Sequence, residues 1–152
     1  NTKNFNFDFE QNINKKIEKG NCIIEYPKKI YCEYSGVNDK ILVSNGKSLV
    51  IKTKVSYYRY PLNKTPLYLI LDKNFLINKI YKLEERIIDN SLINYTIKEN
   101  DYEVNIFFDE RTFNLIGWQT KDLYQNLNIT FLSSIKRNEI FDKNLFKLPA
   151  QN

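Results

Sequence analysis

The chain runs to 152 residues with a formal net charge of +5, from 23 Lys and Arg against 18 Asp and Glu, and carries no His, two Cys and four Gly. One domain with its own core is the expectation at that length, and the composition excludes much chemistry: without His there is no Ser-His or Cys-His nucleophile pair and no usual zinc cluster, and the few Gly form no phosphate-cradling loop. The positive balance does not point to nucleic acid, because Asn, Lys, Ile, Tyr and Phe fill more than half of the chain, the skew that AT-rich codons impose, and only four of the cations are Arg, the side chain suited to bidentate phosphate contact.

Phe5, Phe7, Phe9, Gln11 and Ile13 recur every two residues, the period of a strand with one buried face, here with three aromatic rings in a row. The period continues in Cys22, Ile24 and Tyr26 and again in Ile30, Cys32 and Tyr34; Pro27 sits at the corner between them because it can donate no ladder hydrogen bond. A corner of Pro27, Lys28 and Lys29 pairs Tyr26 with Ile30 and Ile24 with Cys32. Cys22 and Cys32 are then diagonal neighbours, which favours buried free thiols, a disulfide needing a different register in an oxidising compartment. A hairpin follows on Asn45-Gly46, the positive-φ pair of a type I′ turn, then a strand from Val55 to Tyr60.

The β rhythm breaks at Pro61. Thr65 as N-cap and Pro66 at the first helical position open a short apolar helix through Leu67, Leu69, Ile70 and Leu71, with a further helical turn or two between Lys73 and Tyr81. That apolar run is far shorter than the roughly 20 residues of a spanning helix. Strands return at Lys82 to Asp89, Leu92 to Lys98, Tyr102 to Asp109, Asn114 to Lys121 and Leu127 to Ile135. The carboxylate pairs Glu84-Glu85 and Asp109-Glu110 read as solvated surface, since strand neighbours point to opposite faces, and Trp118 reads as sheet packing; neither a catalytic residue nor a metal ligand nor a cofactor is expected. Antiparallel strands with one apolar face must close into a barrel or curl round a cover, and the short helix is the natural cover. No signal-like segment opens the sequence, which fits a cytoplasmic protein or a processed one.

In order, Gly20-x-Cys22, Tyr26-Pro27-x-x-Ile30-x-Cys32-Glu33-Tyr34, Ile41-Leu42-Val43-Ser44-Asn45-Gly46-Lys47-x-Leu49 and Asn63-x-Thr65-Pro66-Leu67 resemble the LolA family of lipoprotein carriers. So do Asn105 to Asp109, Leu115-Ile116-Gly117-Trp118-x-x-x-Asp122, Asn128 to Phe131 and Asp142-x-Asn144-Leu145-Phe146-x-Leu148-Pro149. The resemblance covers nearly the whole chain. It implies a mostly β fold, an unclosed antiparallel half-barrel of about eleven strands with a short helical lid over a hydrophobic cavity, in one domain over residues 1–152. It also implies a periplasmic, non-enzymatic, monomeric carrier. Such a carrier takes the acyl chains of lipoproteins from an inner-membrane LolCDE-type ABC transporter to an outer-membrane LolB-type acceptor.

Under that resemblance Phe5, Phe7, Phe9, Ile24, Tyr26, Ile30, Cys32 and Leu49 line the acyl cavity, and Pro66, Leu67 and Ile70 belong to the lid. Two features depart from the family. Its members begin with an amphipathic lid helix, whereas this sequence opens at the first strand with Asn1-Thr2-Lys3, the mark of a trimmed start or a reduced lid. Tyr26 stands where the family has an Arg that holds the lid shut, and its hydroxyl keeps a donor without the charge. Other readings of the same fold are a LolB-like acceptor, marked by a Cys at the mature N-terminus, and a lipid- or peptide-sensing regulatory domain of envelope stress.

Overall fold

The structure is a computed structural model that describes residues 4–13, 15–36, 38–71, 86–87, 92–99, 102–109, 111, 115–121 and 127–151. Six strands come first: β1 (Asn4–Ile13), β2 (Lys16–Glu25), β3 (Lys29–Tyr34), β4 (Ile41–Asn45), β5 (Ser48–Lys52) and β6 (Tyr57–Pro61). A 3-10 turn (Leu62–Lys64) and a short helix α1 (Leu67–Leu71) interrupt them, and β7 (Arg86–Ile87), β8 (Leu92–Glu99), β9 (Tyr102–Asp109), β10 (Leu115–Lys121) and β11 (Leu127–Arg137) complete the sheet. The helical turns expected between Lys73 and Tyr81 lie outside the described residues, as does all but Arg86–Ile87 of the strand expected from Lys82.

All eleven strands form one antiparallel sheet in the order β6-β5-β4-β3-β2-β1-β11-β10-β9-β8-β7. The pairing of β1 with β11 joins the two meanders into a continuous surface whose two edges, β6 and β7, do not pair. Alternation sends Phe7 and Phe9 of β1 inward and Asp8 and Glu10 outward. The register then aligns the inward residues in rows: Phe5, Ile24, Ile30, Ser44 and Leu49 in one, Phe7, Cys22, Cys32 and Leu42 in the next. On the other half, Thr130, Trp118 and Ile106 stand opposite one another in turn. Gly20 and Gly117 allow the curl, because a Cβ at either would overlap a backbone carbonyl of the neighbouring strand, Glu33 or Thr130.

The corner between β2 and β3 differs from expectation. It consists of Tyr26, Pro27 and Lys28, with a cis Tyr26-Pro27 bond and Lys28 in the left-handed region (φ 66), so Lys29 already lies in the strand. Ile24 therefore pairs with Ile30 and Cys22 directly with Cys32. The thiols are not free: Cys22 and Cys32 form a disulfide. The β4–β5 connection is likewise not a type I′ turn. Ser44 pairs with Leu49, leaving four residues in the loop, of which Gly46 alone has positive φ. Asn45 serves as an acceptor, its Oδ1 taking the N–H groups of Lys47 (2.9 Å) and Ser48 (3.0 Å).

A second, smaller core lies on the outer face. Val43 and Val50 are buried although they point away from the inward rows. The chain after β11 is clasped by Asn4, whose side chain bonds both main-chain groups of Glu139. It then runs back so that a 3-10 turn, Lys143–Phe146, packs on β3 and β4. Farther along, Tyr57 donates to the Pro149 carbonyl (3.0 Å) and Lys52 to that of Ala150 (2.6 Å).

Candidate functional site

The inward face is one continuous apolar cluster. Phe7, Phe9, Ile24, Ile30, Leu49 and the disulfide come from the first half of the sheet, and Ile97, Val104, Ile106 and Trp118 from the second. Leu62, Ile70 and Leu71 reach it from the segment between β6 and β7, each 1% exposed or less. Of the residues singled out from the sequence, Phe5, Tyr26 and Leu67 pack at its border, and the rest apart from Pro66 sit within it. Pro66 immediately precedes α1. Trp118 belongs to the same packed face.

Main-chain hydrogen bonds tie the lid to the sheet at one end of the interior. The Lys28 N–H donates to the Leu71 carbonyl (2.8 Å), and the Leu62 N–H donates to the Lys47 carbonyl (2.9 Å). The first of these occupies a carbonyl that a helix end leaves without an intrahelical partner. Ser44, fully buried, braces the same corner: its hydroxyl donates to the Lys28 carbonyl (2.8 Å) and accepts from the Gly46 N–H (3.1 Å). The Lys28 ammonium also sits 5.2 Å from the centre of the Tyr68 ring, a cation–π contact from sheet to lid.

Thr65 is used differently from a simple N-cap. Its hydroxyl donates to the Leu62 carbonyl (2.8 Å), closing the 3-10 turn, while its carbonyl accepts from Tyr68 N–H (3.2 Å). Tyr26 packs its ring edge-on against Phe5, 5.7 Å between centroids, and burial pushes its phenol up to about 12. A lid tie at this corner is made by the main chain two residues after Tyr26. Sequence reasoning missed Lys28, Ser44 and Leu62; only the apolarity of Leu62 was a signal, since a main-chain donor is common to nearly every residue.

At the end away from the lid the interior turns polar. Glu18 is buried, and its carboxylate pairs with Lys40 at 2.9 Å. Tyr34 lies beside that pair, its phenol driven far up by burial and by the Glu18 charge. An open groove of about 780 Å³ is lined by Asp8, Glu10, Lys19, Asn21 and Glu33, which alternate with the inward residues, and also by Phe9, Gly20, Tyr34 and Leu132 of the inward row between them. Among the described residues, no titratable arrangement on the inward face resembles a nucleophile with its base; what the face offers is apolar area under a small cover.

No curated protein sequence matches the chain. Among solved structures, a LolA superfamily protein from Nitrosomonas europaea aligns over 97% of this chain and 90% of its own, at 8% identity and a TM-score of 0.49. A DUF1329 family protein from Desulfovibrio piger aligns over 96% and 90%, at 8% identity and 0.47. Likeness at that level carries no argument about function. The sequence match is another matter: the family described as outer membrane lipoprotein carrier protein LolA matches residues 1–149, and the chain belongs to that family.

Proposed function

We propose that the protein is a periplasmic carrier that receives the acyl chains of lipoproteins released from the inner membrane and hands them to an outer-membrane acceptor. The observation that carries this reading is the lid: its three fully buried side chains, Leu62, Ile70 and Leu71, pack into the apolar cluster of the inward face. Lifting them costs about 1.5–3 kcal/mol each. Ten or so methylenes entering in their place return about 8 kcal/mol. The two quantities are of the same size, which is what a carrier needs if it is to load and also release.

Two further observations support the compartment and the class. The Cys22–Cys32 disulfide suits an oxidising compartment such as the periplasm. No helix among the described residues is long and apolar enough to cross a membrane. In this reading the partners are acylated lipoproteins, a LolCDE-type transporter as donor and a LolB-type protein as acceptor.

The test is saturable binding of a long-chain acyl probe. Ile30→Glu sets a charge where chains must lie and is expected to abolish binding with the β circular dichroism signal kept. Tyr31→Glu, on the opposite face of the same strand, is expected to leave binding near the wild-type value. Lack of saturable binding by the wild-type protein, or equal binding by Ile30→Glu, would overturn the carrier reading.

A further inference from the structure

The third row of the interior, counted from the lid end, aligns Leu132, Phe9, Gly20 and Tyr34 across β11, β1, β2 and β3. Gly20 leaves a gap in that row that no side chain can fill: a Cβ there would overlap the Glu33 carbonyl and stand 2.9 Å from the Phe9 ring. Phe9 leans over the gap and meets Tyr34 edge to face, 4.9 Å between centroids. Behind this pair the lining is polar. Gln11 and Glu18 stand opposite each other, and the Glu18 carboxylate, 6% exposed, holds the Lys40 ammonium at 2.9 Å.

Tyr34 is fixed from two sides. The Lys40 ammonium lies 4.3 Å from its ring centre. Its hydroxyl donates to Gln11 Oε1 (3.4 Å), and Gln11 Nε2 donates in turn to Thr130 Oγ1 (3.1 Å). An acyl chain entering where the lid leaves passes the row of Ile24 and Ile30, then the row of Phe7 and the disulfide, and meets the two rings. To go farther it must part them and then separate Glu18 from Lys40, stranding a buried charge that added methylenes do not offset.

We propose that Phe9 and Tyr34, meeting across Gly20 in front of the Glu18–Lys40 pair, close the inner end of the acyl-binding space and set the longest chain the protein seats. This rests on the carrier reading and adds to it a limit on the ligand. Saturated acyl chains of increasing length, displacing a fluorescent acyl probe from the wild-type protein, are expected to gain about fourfold in affinity per methylene up to a limit and then level off. In Phe9→Ala the fourfold steps continue past that limit. If Phe9→Ala does not fold, Glu18→Gln combined with Lys40→Met carries the test, since it removes both charges at nearly constant size and frees Tyr34; the same extension is expected. An identical limit in the wild type and the folded variants, or a wild type with no limit, overturns the proposal while leaving the carrier reading intact. A wild type that binds no chain of any length overturns the carrier reading itself.

Discussion

Tyr26 packs its ring edge-on against Phe5 at the border of the core. Its hydroxyl stands as a candidate latch two residues before the Lys28 amide, which donates to the Leu71 carbonyl. Because burial lifts the phenol to about 12 from an ordinary 10, the folded state resists ionisation that the unfolded chain undergoes freely. The corresponding stability is fully present below pH 10 and is lost as pH rises through 12. Two units at 1.36 kcal/mol each amount to about 2.7 kcal/mol. Wild type is therefore expected to lose about that much stability to urea between pH 10 and 12 beyond what Tyr26→Phe loses, the variant having no phenol to ionise. Parallel pH profiles for the two proteins would show that the hydroxyl is solvated.

At the scale of elements, the strands were legible because alternation is a local property: Phe5 to Ile13 and Tyr102 to Asp109 declare their inward faces without help from neighbours. The corner was not. Whether three residues close it as Pro27 to Lys29 or as Tyr26 to Lys28 turns on a left-handed Lys28, and a Lys does not announce positive φ as Gly does. Moving the corner by that one residue shifts the register by two, which brings Cys32 from beside Ile24 to beside Cys22 and so makes the disulfide. The lid was legible as an apolar helix, and its anchorage was not, being main chain to main chain. The Lys28 amide then reports on the lid directly. Its hydrogen exchange is expected to follow lid opening and to accelerate when an acyl ligand displaces Leu71, while amides in the β3 ladder stay protected. Ser44→Ala, which removes the brace on the Lys28 carbonyl, is expected to speed Lys28 exchange and to cost about 1–3 kcal/mol through the lost buried bond. Exchange at Lys28 no faster than in the ladder, with or without ligand, would mean that the lid does not open there.

For the molecule as a whole, the proposed carrier requires a sheet that stays rigid while its inner cover comes and goes, and two features outside the lid would serve that end. The disulfide closes a short loop between β2 and β3, a constraint worth about 2–3 kcal/mol in the chain-entropy account. The C-terminal segment covers the outer face, where Phe146 is buried against Phe141 at 5.4 Å and packs over β3 and β4. Val43 and Val50, read from sequence only as parts of a hairpin, depend on that cover because they face away from the main core. The two cores therefore carry separable loads. Phe146→Ala removes a buried ring from the outer one and is expected to lower global stability by about 3–5 kcal/mol, read from urea unfolding. Acyl affinity in conditions where the variant is folded is expected to stay within about twofold of wild type, since distant sites without shared partners act nearly additively. A large loss of affinity in the folded variant would show instead that the outer core sets the shape of the inner face.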